Sequence, residues 1–210
     1  MRAIVIPQLG GPDVLEVRDI PVPEPQAGEV TIRVVYAGIN NADLMARQSG
    51  YMVEQLPFIP GYEVAGYIHM LGEGVEGLRT GQPVAALTVR NGYAEFVTAS
   101  ALLTFPLDKQ GQQIELATAA SFPAVGLTAY NLLADVARLR PGESVLIHAA
   151  AGGVGMAAAQ IARHLGAGQI IGTVGSAGKV AAALSAGYDR AVIREDFARA
   201  VQEATNGRGI

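Results

Sequence analysis

An apolar strand followed by a turn of small residues stands in the second half of the chain, at residues 144–155. The run Ser-Val-Leu-Ile-His at 144–148 is typical of a buried strand, and it leads directly into Ala-Ala-Ala-Gly-Gly-Val-Gly at 149–155 and then a helical pattern. The turn has the spacing of G-x-G-x-x-G, with alanine at its first position. Because backbone N–H groups at a helix start attract anions, this order predicts a dinucleotide-phosphate site. The alternative is a plain tight turn.

The residues of this turn have separate expected roles. Gly152 lets the backbone approach a pyrophosphate closely, and Gly155 lets the helix pack against the strand. Ala150, Gly153 and Val154 complete the predicted cofactor-binding turn.

The end of the next strand indicates which dinucleotide binds. Enzymes that use NAD usually have Asp or Glu there, about 20 residues on, to bond the ribose 2′-hydroxyl. This chain reads Gly-Thr-Val-Gly-Ser at 172–176 and has no carboxylate there. Ser176 could donate to a 2′-phosphate and Lys179 could neutralise it, which favours NADPH over NADH. The alternative for Lys179 is a solvated residue in the first turn of a helix.

The composition excludes several other kinds of site. The 210 residues include no cysteine, and the three histidines lie far apart, so we expect no disulfide, no thiolate chemistry and no metal site. The net charge of -4 disfavours nucleic acid and anionic membranes as partners. No signal peptide and no apolar run of about 18 residues is found, which predicts a cytoplasmic enzyme.

Residues 1–115 read as an all-β block of short strands separated by Gly and Pro, with one helix at 42–48. The strands are predicted at residues 2–6, 14–19, 29–37, 63–71, 83–88 and 93–99.

Residues 116–210 read as α/β, with apolar strands fit for a parallel sheet alternating with Ala-rich helices in the order βαβαβα. The strands are predicted at 144–148, 169–174 and 190–193, and the helices at 116–122, 127–137, 154–165, 179–186 and 197–204. A Rossmann sheet normally has two such halves, so we expect only the first half here. Either the chain is shortened, or three strands suffice.

Five stretches together resemble a known family. They lie at 37–43, 60–66, 91–96, 126–130 and 148–155, and span nearly the whole chain in the family's order. The sequence resembles the medium-chain dehydrogenase/reductase superfamily, specifically its zinc-free quinone oxidoreductase branch. The resemblance implies a GroES-like catalytic β-barrel domain over residues 1–115 and the N-terminal half of an NADP-binding Rossmann domain over residues 116–210.

The resemblance also bears on the metal. In zinc-bearing alcohol dehydrogenases of this superfamily, Cys and His ligands occupy the positions that hold Asn40 and Tyr62 here. The cysteine-rich structural zinc lobe is missing as well. A zinc-free enzyme is therefore expected.

Without a Lewis acid, the substrate must already be electrophilic, such as a quinone or an α,β-unsaturated carbonyl or enoyl compound. The cofactor would supply hydride from nicotinamide C4, and the protein would orient the substrate and bond the oxygen where negative charge develops. The resemblance implies that Asn40 and Tyr51 face this substrate and that Thr128 lies near the nicotinamide.

Each catalytic candidate has a structural alternative. Asn40 could cap the helix that begins at residue 42, and Tyr51 could be a half-buried loop aromatic. Asp43 is expected to bond nearby backbone, and Glu63 to brace the site. None of the histidines is assigned to catalysis, and His148 is expected to bond locally.

Two other functions stay open. The chain could be a non-catalytic NADPH-binding or structural protein. In the family, the half of the Rossmann domain that is expected to be missing here holds the nicotinamide and forms the edge of the homodimer. Alternatively, the half-Rossmann unit could bind another nucleotide or an S-adenosyl compound.

Overall fold

The strand-rich part of the chain folds around a five-stranded antiparallel sheet. In the computed structural model, which describes residues 1–108 and 114–210, this part belongs to a first unit, Met1–Ala124, and a second unit comprises Val125–Ile210. The strands of the first unit are β1 (Arg2–Val5), β2 (Glu16–Asp19), β3 (Glu29–Ala37), β4 (Glu63–Leu71), β5 (Pro83–Leu87), β6 (Phe96–Ser100) and β7 (Thr104–Pro106). The large sheet has the order β6-β3-β4-β5-β7, while β1 and β2 form a separate antiparallel pair.

Branched apolar side chains from the central strands fill the core of this unit. Val30 and Ile32 on β3 and Val64 and Ile68 on β4 are almost fully buried. The register of β3 against β4 shifts between Val34 and Tyr36. Such a bulge bends a strand, and here it lies just before the chain leaves the sheet for α1 (Asn41–Ser49).

The second unit is built from a three-stranded parallel sheet and helices. Its elements are α3 (Pro123–Tyr130, which starts in the first unit), β8 (Ser144–Ile147), α4 (Gly153–His164), β9 (Gln169–Val174), α5 (Val180–Ser185), β10 (Arg190–Ile193) and α6 (Phe197–Ala204). The strand order is β10-β9-β8 and all pairings are parallel, as the βαβαβα pattern predicted. A π-helical segment, Asn131–Val136, extends α3.

Alanines allow α4 to lie close to the sheet. Ala157, Ala158, Ala159 and Ala162 are nearly fully buried and pack in one core cluster with Ile170 of β9. Within residues 1–108 and 114–210, no helix is both long and apolar enough to span a membrane.

The predicted helix 116–122 is too long, and the predicted helix 127–137 begins too late. The observed helix α2 (Leu116–Ala119) packs against β3, β4 and β5, and α3 begins at Pro123. Proline suits the first turn of a helix and disfavours helical backbone in the residue before it, here Phe122. Periodicity alone does not locate such a break, so it predicts that the helix starts at Leu127.

Three strand predictions in the first unit also need correction. The strand expected at 93–99 begins at Phe96, because the N–H of Tyr93 bonds the carbonyl of Pro60 instead of a ladder partner. The strand expected from Val14 begins at Glu16, since Pro12–Val14 forms a 3-10 turn. Strand β7 was not predicted, because its three residues are too few to show alternation.

Tyr188 joins two layers of the second unit. Its buried hydroxyl donates a hydrogen bond to the carbonyl of Gly155 in α4, at 2.7 Å. Burial raises the pKa of Tyr188 from 10.0 to about 12. The folded state therefore keeps this proton at a pH where the unfolded chain loses it.

We expect this tyrosine to make stability depend on pH in the alkaline range. Its contribution is complete below pH 10 and declines as the pH rises to about 12, by roughly 2 kcal/mol. Urea unfolding at several pH values should therefore show a smaller slope over this range for Tyr188→Phe. The exposed Tyr130 supplies the control, Tyr130→Phe, which should behave as wild type. Equal slopes for all three proteins would contradict the prediction.

Candidate functional site

The carboxylate of Asp43 holds together two segments of the first unit. Asp43 lies in the first turn of α1 and is 4% exposed. One oxygen accepts the backbone N–H of Asn40 and the other accepts that of Gly61, both at 2.8 Å. As expected from the sequence, Asp43 bonds backbone and not solvent. The start of α1 is therefore fixed to the turn that precedes β4.

The side chain of Asn40 is held by a second buried carboxylate. Its Nδ2 donates to Oε1 of Glu63 at 2.8 Å, and Oε2 of Glu63 accepts the N–H of Ala124 at the same distance. Asn40 is the residue before α1, as the capping alternative expected, but the carboxylate of Asp43 bonds the backbone there. One amide N–H of Asn40 is thus used to fix its orientation, and an asparagine amide has two.

Tyr51 lies at the other end of α1 from Asn40. It follows Gly50, which ends the helix in the left-handed conformation, and its side chain is 46% exposed. The nine residues of α1 span roughly 14 Å, so the two predicted catalytic residues are not adjacent. The structure places them at opposite ends of one helix of the first unit.

Tyr62 lies close enough to residues at both ends of α1 to interact with them electrostatically. Burial raises its pKa, and the nearby groups of Asp43 and Tyr51 raise it further, while the positive charge of Arg90 acts in the opposite direction. The Tyr62 hydroxyl therefore stays protonated and can donate a hydrogen bond at neutral pH. The sequence singles out Tyr62 only as a residue that replaces a zinc ligand, and it does not single out Arg90.

A cavity of about 430 Å³ opens beside Tyr62. Its walls come from the loop at residues 52–62, the turn at 89–91, and parts of β1, β2 and α1. Val53, Phe58 and Ile59 give it an apolar lining, and Arg90 and Glu54 contribute charge. An apolar cavity of this size with a few polar groups is typical of a small-molecule site. We call it the Tyr62 pocket.

Tyr93 is a buried neighbour of Asp43. Burial and this carboxylate raise the pKa of Tyr93 well above its usual value. Its hydroxyl forms no hydrogen bond of ordinary geometry with the part of the chain that the structure describes. Tyr93 thus adds a neutral, protonated side chain beside Asp43.

The turn of small residues in the second unit lies between β8 and α4. Ala149 adopts a left-handed backbone with φ of 54°, and the N–H of Ala150 bonds the carbonyl of Thr173 at 2.8 Å. The helix begins at Gly153. Gly152, Gly153 and Val154 are exposed, so their backbone is accessible to a ligand.

Gly155 has a packing role in this turn. A Cβ at this position would lie 2.9 Å from the Cα of Ala150, which is closer than side chains tolerate. Gly155 and Ala150 are both buried, and the carbonyl of Gly155 accepts the bond from Tyr188. The structure thus agrees with the role expected for Gly155 in helix–strand packing.

Ser176 and Lys179 lie after the carboxyl end of β9. Ser176 precedes a 3-10 turn, Ala177–Lys179, and both side chains are exposed. Arg194 follows β10 and is also exposed. Because carboxyl ends of parallel strands share one edge of the sheet, this second cation lies on the same edge. Sequence analysis missed Arg194, although its place directly after a predicted strand could have indicated it.

Thr128 is an exposed residue of α3. His148, at the end of β8, bonds the hydroxyl of Thr173 through Nδ1 at 3.0 Å and lies against the ring of Phe197. This agrees with the local role expected for His148. Among the residues that the structure describes, no three His, Asp or Glu side chains are grouped so that they could hold a metal ion.

Two family models match the chain. Residues 26–120 match the alcohol dehydrogenase GroES-like domain, and residues 153–210 match the zinc-binding dehydrogenase domain. The first unit is therefore GroES-like, and the parallel sheet of the second unit is Rossmann-like.

Known proteins of one branch are similar to the chain. Rat (Rattus norvegicus) quinone oxidoreductase is 40% identical over 179 residues, which are 84% of this chain and 53% of that protein. The structure of Escherichia coli quinone oxidoreductase complexed with NADPH is 33% identical, with a TM-score of 0.87 over 99% of this chain and 64% of that one. The CurK enoyl reductase structure is 32% identical, with a TM-score of 0.88 over 100% and 65%.

The chain therefore belongs to the medium-chain dehydrogenase/reductase superfamily, in its quinone oxidoreductase branch. It spans about half the length of the curated relatives it matches.

We expect Asp43→Ala to lower the free energy of unfolding by about 2–4 kcal/mol, because two buried N–H groups lose their acceptor. Asp43→Asn keeps one acceptor oxygen and should lose less. Urea unfolding checks both, with the exposed Asp13→Ala as control. A loss for Asp43→Ala no larger than that of the control would show that the two hydrogen bonds of the Asp43 carboxylate do not stabilise the fold.

Proposed function

We propose that the chain is the cofactor- and acceptor-binding part of a zinc-independent, NADPH-dependent reductase of quinones or α,β-unsaturated carbonyl compounds. The observation that carries the proposal is the exposed backbone turn at Gly152–Val154, with Ser176 and Lys179 in place of an acidic residue after the next strand. When bound, NADPH supplies a hydride from nicotinamide C4. The quinone oxidoreductase complexed with NADPH and the enoyl reductase among the similar structures support this choice.

The residues of the second unit fit this cofactor. The exposed N–H groups of Gly153 and Val154 open a twelve-residue helix, whose positive end attracts a pyrophosphate. Val174 ends β9 without a carboxylate, so nothing in that position repels a 2′-phosphate. Ser176 and Lys179 would hold this phosphate, and Arg194 adds charge at the same edge. Ala150 and Gly155 keep the turn close to the sheet, and Thr128 is proposed for the nicotinamide end.

The first unit supplies the hydrogen-bond donors for the acceptor. Asn40 keeps a second amide N–H beyond the one that bonds Glu63. Tyr51 presents an exposed hydroxyl at the far end of α1. We propose that these groups orient the acceptor and stabilise the negative charge that develops on its oxygen, which preorganised donors do at low reorganisation cost.

The charge at Lys179 should decide between the two dinucleotides. We expect Lys179→Ala to weaken NADPH binding about tenfold, since it removes one charge-assisted contact to the 2′-phosphate. NADH binding should not change. Calorimetric titration of both cofactors into wild type, Lys179→Ala and the control Arg199→Ala checks this. The cofactor assignment fails if the variant loses affinity for both dinucleotides equally, or if wild type prefers NADH.

The roles of Asn40 and Tyr51 are tested by turnover. With a panel of quinones and enones, wild type should oxidise NADPH without added metal, as followed by the absorbance of the reduced nicotinamide. Asn40→Ala and Tyr51→Phe should each lower kcat about 10- to 100-fold, because each removes one donor to the developing charge. The exposed Tyr36→Phe is the control. NADPH binding without turnover of any acceptor would instead indicate a non-catalytic binding protein.

A further inference from the structure

The turn that carries Arg90 has an unusual backbone. Val89 and Asn91, the residues on either side of it, both have left-handed backbones, with φ of 65° and 67°. A β-branched residue with positive φ is a genuine outlier, and such a conformation is energetically unfavourable. Strain of this kind persists only where surrounding contacts impose it, and it is concentrated at functional sites.

Hydrogen bonds to the loop before β4 impose this conformation. The N–H of Asn91 bonds the carbonyl of Ile59 at 3.1 Å. On the other side, the N–H of Thr88 donates to the carbonyl of Tyr62 at 2.8 Å. The hydroxyl of Thr88 donates to the carbonyl of Gly61 at 2.9 Å. Gly61 has φ of 104°, and a Cβ there would lie 2.6 Å from the N of Tyr93. The backbone of Arg90 is thus fastened on both sides at the wall of the Tyr62 pocket.

The side chain of Arg90 forms one exposed ion pair. Its Nη2 donates to Oε1 of Glu54 at 3.0 Å, and the two side chains are 53% and 76% exposed. An ion pair this exposed contributes little to stability. The guanidinium has five N–H donors in a fork that matches a carboxylate, and this pair uses one of them. A ligand carboxylate can therefore replace Glu54 at little cost.

The rest of the pocket indicates the body of such a ligand. The charged side chains in its lining are Arg18, Glu54 and Arg90. Arg18 is already paired with Glu16 at 2.7 Å. The neighbouring walls at Val53, Phe58 and Ile59 are apolar. Of the two ion pairs, the one between Arg90 and Glu54 is the more exposed, so Arg90 is the cation that a ligand can take. An apolar body that carries one anionic group therefore fits this lining.

We infer that Arg90 determines specificity in the Tyr62 pocket, and that the pocket takes a conjugated or aromatic acceptor bearing a carboxylate, which displaces Glu54 from Arg90. That this ligand is the hydride acceptor rests on the proposed reductase function. The binding itself does not, because the pocket lies within the first unit.

The binding test uses the 210-residue chain with 2-naphthoate and its neutral analogue 2-naphthamide, titrated by calorimetry. Wild type should bind the carboxylate about tenfold more tightly than the amide. Arg90→Gln should abolish this preference, and Glu54→Gln should bind the carboxylate several-fold more tightly because the competing acid is gone. Arg18→Gln, from the same lining, is the matched control and should keep the preference.

Equal affinity of wild type for the two naphthalene compounds, or no binding of either, would overturn the inference. It is also overturned if the preference survives in Arg90→Gln or disappears in Arg18→Gln. The chain could instead show a carboxylate preference that depends on Arg90 and yet fail to oxidise NADPH with any acceptor. That result would refute the reductase function and support the anion site.

A turnover arm separates the two proposals from the other side. With a carboxylated and a neutral quinone, Arg90→Gln should raise the KM for the carboxylated quinone about tenfold relative to the KM for the neutral one, while the ratio of the two kcat values stays the same. Turnover of both quinones with a KM insensitive to Arg90→Gln would refute the anion preference and support the reductase.

Discussion

The bond between the buried carboxylate of Asp43 and the N–H of Gly61 is the interaction on which the rest of the proposed acceptor site depends. It fixes the first turn of α1 against the turn before β4, and these two segments carry Asn40 and Tyr62. The same turn receives the hydrogen bonds of Thr88 and Asn91 and so positions Arg90. A buried carboxylate without hydrogen-bond partners would be costly, so other arrangements of these two segments are disfavoured.

The second unit achieves precision by a different physical means. The turn at Ala149–Gly155, which is proposed to bind the pyrophosphate, contains no charged side chain, and its geometry follows from the close approach of small residues. Gly155 lies so near Ala150 that no side chain fits, and the buried alanines of α4 bring the helix down on the sheet. The hydroxyl of Tyr188 adds one side-chain hydrogen bond to this packing, at the carbonyl of Gly155.

Much of the second unit followed from periodicity, because a parallel strand buried on both faces is a continuous apolar run and an alanine-rich helix has an unambiguous pattern. β9, β10 and α6 have the predicted bounds. The break at Pro123, the start of β6 and the short β7 were missed, since they depend on proline geometry and on bonds to residues distant in sequence. For the same reason, Arg90 gave no signal: its neighbour Tyr62 lies 28 positions earlier in the chain.

Local pattern and residue type are enough to predict the two fold classes, the turn at Ala150–Gly155, the lack of an acid after β9 and the family. The hydrogen bonds from Asn40 to Glu63 and from Gly61 to Asp43, and the pocket that Tyr62, Arg90 and Glu54 share, are visible only in the folded chain. These contacts join loops from different strands of one sheet. The partner of each side chain depends on how distant parts of the backbone fold together, which no local sequence pattern shows.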